Sequence, residues 1–273
     1  MNLAGRAPGR DDPEPVVPSF SSAAADERVG DADHGSPVAA LESDAVGFIL
    51  AGGESIRMGR DKAQLAFRGR PLIEHALGIL AQAGLSAAIA GAPPTARATL
   101  EAFAPVIEDA YPGLGPLSGI SAALAATAAR YAVFLSIDLP LLPPSLLVFL
   151  LRYARITGAA ITVASVSGFA QTFPAVIDRM ALPTLRSELH SGQSGCFSAF
   201  QAASAALNRP FRSLAVEILA QSGQVWDPQG RPPAHWFLNL NTPADLARAE
   251  ALERQLEAVP QLHRIVQKPS LRG

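Results

Sequence analysis

Cysteine is nearly absent from this chain: Cys196 stands alone among 273 residues, so no intrachain disulfide can form and a metal site made only of thiolates is excluded. Charge is scarce too. Asp, Glu, Lys and Arg together are 17% of the residues and leave a formal net charge of −2, which provides no bulk attraction for nucleic acid or an anionic membrane. No window reaches about 18 uninterrupted apolar residues, the length expected of a membrane span. The nearest approach, "FLSIDLPLLPPSLLVFLL", is broken by Asp138 and three prolines. The opening residues lack the apolar stretch of a secretory signal, and a single cysteine agrees with a reducing cytoplasm.

What is present is apolar residue in quantity, 49% of the chain, enough to bury the core of one sizeable α/β domain or two small ones. Residues 1–44 are rich in Pro, Gly, Ser, Asp and Ala and read as a disordered extension, unable to bury enough surface to offset ordering entropy. Residues 45–258 read as the folded domain, and 259–273 as a loose basic tail. Within the domain, "AVGFILA" predicts a buried strand feeding a glycine loop. A helix is predicted from Pro71, with Leu72, Ile73, Ala76, Leu77 and Leu80 on one face and Gly84 as its stop.

Strands at "SAAIAG", "PVIED", "YAVFLSID", "AAITVASV" and "FPAVID" then alternate with helices at "PLSGISAALAATAAR", "PPSLLVFLLRYARITG", 179–190 and 194–207. The stretch 208–235 reads as irregular, "WFLNLN" as a last strand, and "TPADLARAEALERQL" as a helix with a capping-box-like start at Thr242 and Asp245. Repeated β-loop-α units predict a three-layer, doubly wound, mainly parallel sheet, whose ligands sit beyond the carboxyl ends of the strands.

Three such ends carry chemistry. In "ILAGGESIRMGRDK", Gly52 and Gly53 allow a tight turn and close backbone approach to an anion, while Arg57 and Lys62 supply cationic donors. Neither a Walker loop nor a dinucleotide fingerprint is present. The bland alternative is a solvated loop with Arg60 and Asp61 paired. Asp138 follows an apolar strand, where an unpaired carboxylate is costly to bury. It is either a cap for the next helix or a ligand for Mg²⁺, which takes one or two carboxylates plus phosphate and water. Asp109 is a weaker candidate because "EDAYPGLGP" is also a good turn sequence. The five histidines lack metal spacing, and His75 reads as a helix-surface residue. Ser118 and Ser136 have no evident His–Asp partners, and Cys196 reads as a small core residue.

The segment "LAGGESIRMGRDKAQLAFRGRPLIEH" resembles the signature of nucleotidyltransferases that activate small molecules with a nucleoside triphosphate. With "VIEDAYPGLGPLSGI", "SIDLPLLPP" and "FLNLNTPADLARAE", the chain from Val46 to Leu252 looks most similar to the molybdenum cofactor guanylyltransferase family. The resemblance implies a Rossmann-like nucleotidyltransferase fold and transfer of GMP from GTP to the terminal phosphate of molybdenum-bound molybdopterin, with Mg²⁺ and release of pyrophosphate. It places nucleotide contacts on Leu50, Ala51, Gly52, Lys62 and Asp109, the metal on Asp138, and Gly53 and Arg57 beside the triphosphate. Asn239 and Asn241 match the asparagines of the C-terminal motif on the pterin side, and acceptor residues are expected within 166–235. An asparagine that family members often carry on the strand at 86–90 is missing from "AAIAGA".

The implied partners are GTP and molybdenum-molybdopterin, with cofactor-insertion or molybdenum-loading proteins beyond them. A cytoplasmic monomer that binds neither nucleic acid nor membrane is expected. Cytidylyl transfer to the same pterin, another small-molecule nucleotidyltransferase and a non-catalytic GTP-binding module are the alternatives.

Overall fold

The computed structural model describes residues 44–51, 65–109, 111, 113–192 and 195–258. Gly52, Gly53, Arg57 and Lys62, the expected N-terminal extension up to residue 43 and the 259–273 tail lie outside the described residues.

Seven strands form the main sheet: β1 (Ala45–Leu50), β4 (Ala87–Ala90), β5 (Val106–Ile107), β6 (Tyr131–Ser136), β7 (Ile161–Val166), β8 (Phe169–Asp178) and β9 (Phe211–Ala215). Their order is β5-β4-β1-β6-β8-β7-β9, and β8 alone runs against the rest. A separate small hairpin pairs β2 (Ala66–Phe67) with β3 (Arg70–Pro71). The expected doubly wound, mainly parallel sheet is present.

Burial on both faces explains the continuous apolar runs. In β6, Tyr131, Val133 and Leu135 enter one core, while Ala132 and Phe134 enter the other. The first core is covered by α1 (Leu72–Gln82) and α4 (Pro144–Thr157), which contribute Leu72, Ile73, Leu80, Leu146 and Leu150. The second is covered by α3 (Pro116–Ala126), α5 (Leu182–His190) and α6 (Cys196–Ala206), through Leu117, Ile120, Leu185 and Phe200. The remaining helices are α2 (Arg97–Leu100), α7 (Val216–Gln221), α8 (Pro233–Trp236) and α9 (Pro243–Ala258). Thr242 and Asp245 form the expected reciprocal cap at the start of α9. The Thr242 N–H donates to Asp245 Oδ2 at 2.8 Å, and Asp245 N–H donates to Thr242 Oγ1 at 3.1 Å.

Several expectations are corrected. The 208–235 stretch holds β9, α7 and α8 rather than irregular chain. β9 is half-exposed along its length because it is an edge strand, so its sequence lacks the apolar signature of the inner strands. "WFLNLN" is not a strand: Trp236 ends α8, and the chain beyond it meets the loop after β6 rather than a free strand edge. Its apolar residues Trp236 and Leu240 are buried all the same, so alternation there records packing rather than pairing. Pro71 occupies the position just before α1. His75 is half-buried, and its Nε2 lies 2.8 Å from the Phe67 carbonyl oxygen, fastening α1 to the small hairpin. Burial lowers its pKa, with Arg70 and Arg68 adding to that, against the opposing hydrogen bond to Phe67 and the charge of Glu74.

Candidate active site

Because β5, β4, β1 and β6 are parallel, their carboxyl ends open on one edge, and the expected site residues that the structure describes gather there or next to it. Leu50 and Ala51 close β1. The Leu50 side chain is buried and its carbonyl accepts from the Ile137 N–H at 3.4 Å, while the Ala51 N–H is committed to the Ala90 carbonyl at 3.0 Å. Any ligand contact from Ala51 therefore comes from its carbonyl or methyl group.

Asp109 follows β5 and is half-buried. Its Oδ1 accepts from the Tyr111 N–H at 2.9 Å and from the Ser118 hydroxyl. The turn role is therefore real, and it leaves Oδ2 without a bond from any described residue. Ser118 reaches this carboxylate because α3 begins close over the end of β4. Gly115, at φ +78°, turns the chain into the helix in the left-handed region. Gly119 then lies so near β4 that a Cβ there would meet Gly91 Cα at 2.9 Å.

Asp138 lies two residues beyond β6, half-buried, and accepts from the Ser136 hydroxyl at 2.5 Å on Oδ1. The capping alternative does not hold: Pro143 occupies the position before α4, five residues further on. Asp138 also receives a long-range contact, since the Leu240 N–H donates to its carbonyl at 3.0 Å. Leu240 is buried, whereas Asn239 and Asn241 on either side of it are exposed. The structure thus brings the C-terminal asparagines to Asp138, although 100 residues of chain separate the segments.

The two acids stand apart. Their strands are separated by β4 and β1, so about three strand spacings, roughly 14 Å, lie between them. That distance is too great for one Mg²⁺, whose ligands lie at about 2.0–2.1 Å. Among the described residues no three His, Cys, Asp or Glu side chains gather into a metal cage. A lone oriented carboxylate suits Mg²⁺ that draws most of its ligands from phosphate and water.

Two contributors escaped the sequence reading. Ser118 and Ser136 were set aside for want of catalytic partners, yet each orients one of the candidate carboxylates. The Ser-x-Asp spacing at 136–138 was the available signal. Cys196 is buried, and burial pushes its thiol up to about 12, which makes it inert. A groove of about 470 Å³ between α4 and Trp226 is lined by none of the candidate residues.

Comparison with known proteins follows from this arrangement. The model of the MobA-like NTP transferase domain matches residues 47–207, more than half of the chain. The chain belongs to this family. A relative from Opitutus terrae named probable molybdenum cofactor guanylyltransferase is 35% identical over 159 residues, 57% of this chain and 77% of that one. One of the same name from Mycobacterium tuberculosis is 41% identical over 122 residues, 43% of this chain and 60% of that one. The crystal structure of molybdopterin-guanine dinucleotide biosynthesis protein A from Archaeoglobus fulgidus superposes with a TM-score of 0.63 at 22% identity. It covers 77% of this chain and 98% of its own, and establishes the shared nucleotidyltransferase fold.

Proposed function

We propose that this MobA-like transferase moves GMP from GTP onto the terminal phosphate of molybdenum-bound molybdopterin and releases pyrophosphate. The observation that carries the reading is the bond from the Leu240 N–H to the Asp138 carbonyl, which sets the C-terminal asparagines beside the candidate metal acid. The names of the relatives support the guanylyl and molybdenum assignments.

The chemistry is a phosphate monoester attacking the α-phosphorus of a triphosphate. Two unit charges about 4 Å apart repel by about 4 kcal/mol at an effective dielectric of roughly 20, and several such pairs must be offset. In our reading Lys62 and Arg57 lie against the triphosphate, with Gly52 and Gly53 letting the backbone approach it. Asp138, held by Ser136, would carry Mg²⁺, which when bound neutralises phosphate charge and favours departure of pyrophosphate. Asp109 receives the nucleoside end through Oδ2, and Asn239 and Asn241 face the acceptor. No protein nucleophile is required, because positioning and electrostatics suffice in most phosphoryl transfer. We place the reaction in the cytoplasm and assign it to a monomer that exchanges pterin with molybdenum-loading or cofactor-insertion proteins. No helix among the described residues is long and apolar enough to cross a membrane.

The test is pyrophosphate release from each Mg·NTP in the presence of molybdopterin. GTP is expected to support turnover far better than CTP, ATP or UTP. Strict CTP preference would make the protein a cytidylyltransferase, and GTP binding without turnover would make it a binding module.

A further inference from the structure

We propose that Phe169 is the stacking surface for the flat ring system of the pterin acceptor, an inference that rests on the acceptor named above. Phe169 is 76% exposed, the largest exposure among the exposed large hydrophobic residues of the described chain. A single exposed apolar side chain is ordinarily unremarked. Here its place in the fold matters. β8 is ten residues long, but its pairing with β6 runs only from Tyr131 opposite Asp178 to Phe134 opposite Ala175. The amino-terminal part of β8 therefore extends past the end of β6. Between Ala175 and Ala170 the pairing with β7 shifts by three residues, so β8 bulges there; counted through β7, where Val163 faces Ala175 and Val166 faces Phe169, Phe169 is about level with Ile137. On the strand next to β6, Phe169 thus stands at the end of the sheet where Asp138 lies. A phosphate held at Asp138 leaves the rest of its molecule within reach of that ring.

The tip is fixed. Val166 pairs with Phe169 across a two-residue turn, Ser167 at φ +50° and Gly168 at φ +82°, which is the conformation of a tight hairpin. The Ser167 N–H donates to Glu217 Oε1 at 2.7 Å, tying the turn to α7. Gln171 Nε2 donates to the Phe169 carbonyl at 3.0 Å. Cross-strand partners share a face, and Val166 and Leu238 both pack against the core that contains Leu240. Phe169 is therefore on the face of the sheet that carries the Asn239–Asn241 segment. By contrast, the similarly exposed Ile156 and Met180 lie at the end of α4 and beyond the end of β8, on the opposite edge of the sheet. Phe169 puts an exposed ring on the side of β6 where the acceptor is expected, whereas Tyr111, 39% exposed, follows Asp109 on the far side of β4 and β1. A fused heteroaromatic ring gains by stacking on an aromatic side chain, and removal of such a surface weakens binding by about 10- to 100-fold.

The experiment uses the full chain with Phe169→Ala and Phe169→Tyr. Equilibrium binding of molybdopterin, without nucleotide, is followed by the change in pterin fluorescence. GTP and acceptor KM values come from pyrophosphate release. Phe169→Ala is expected to weaken pterin binding and raise the acceptor KM by about 10- to 100-fold, to leave the GTP KM within about twofold, and to leave the thermal midpoint unchanged. Phe169→Tyr is expected to restore pterin binding. Equal pterin affinity in wild type and Phe169→Ala overturns the inference, as does a matched loss for GTP. The binding arm needs no turnover, so a wild-type protein that binds pterin through Phe169 but transfers no GMP would refute the proposed reaction and leave this assignment standing.

Discussion

The two halves of the sheet approach the candidate site by different means. From β5 to β6 the strands are parallel, and three of the four offer a candidate residue just beyond the carboxyl end: Ala51 after β1, Asp109 after β5 and Asp138 after β6. From β8 to β9 one strand is reversed and bulged, and the C-terminal segment arrives from far along the chain. The first half fixes its groups by short-range contacts, Ser136 to Asp138 and Tyr111 to Asp109. The second relies on long-range ones, chief among them a buried ion cluster. Glu253, 4% exposed, takes Arg231 through both carboxylate oxygens at 2.6 and 2.7 Å, and also Arg68 at 2.9 Å. Arg231 in turn bonds Asp227 at 3.0 Å. The cluster joins α9, the 227–231 segment and the turn of the small hairpin. Damage to the first half should thus remove chemistry and leave folding intact, whereas damage to the second should loosen the fold and the acceptor side together.

The sharpest break is Asp138→Asn. If Asp138 carries the metal, its loss should cut kcat by about 100- to 1,000-fold, on the scale of removing one preorganised charge-stabilising group, with GTP still bound. Unchanged turnover in a steady-state pyrophosphate assay would end the metal role. Lys62→Ala comes next, with an expected loss of about 2–4 kcal/mol in transition-state stabilisation and a higher GTP KM. A rate equal to wild type would assign Lys62 to solvent.

Glu253→Gln addresses the other half. Removing one partner from a buried ion pair costs about 3–5 kcal/mol, and the lower end is expected because Arg231 keeps Asp227. Burial raises the Glu253 pKa, but the hydrogen bond and charge of Arg231 and the charge and hydrogen bond of Arg68 outweigh it, so the net shift is downward from 4.5. A carboxylate with a depressed folded pKa contributes stability that is fully present above its unfolded value and lost as pH falls through the folded one. Wild-type unfolding free energy should therefore drop below about pH 4.5 more steeply than that of Glu253→Gln. Denaturant titrations at several pH values read this directly, and parallel curves would show that the cluster adds nothing. The smallest effect is expected from Thr242→Ala, which removes the cap of α9 and should cost about 1 kcal/mol in the same titrations without changing kcat.

Which features were legible follows the same division. The inner strands announced themselves because burial on both faces demands uninterrupted apolar residues, as in β6. The start of α9 was equally plain, since a reciprocal Thr–Asp cap is a contact between residues three apart. β9 was missed because an edge strand needs apolar residues only where it touches the core. The 236–241 segment was misread because buried Trp236 and Leu240 follow strand-like alternation without a strand to pair with. Ser118 and Ser136 were set aside because a hydroxyl serving a carboxylate looks, in one dimension, like any other hydroxyl.

By itself the sequence determined the alternation of strands and helices, the family likeness and the acids that follow the strands, because burial periodicity and capping act over a few neighbouring residues. The tertiary structure decided which serine orients which carboxylate, that Leu240 brings two asparagines to Asp138, and that the bulged β8 sets Phe169 at the edge beside Asp138. Those outcomes depend on register and packing between segments tens of residues apart, and no local pattern encodes them.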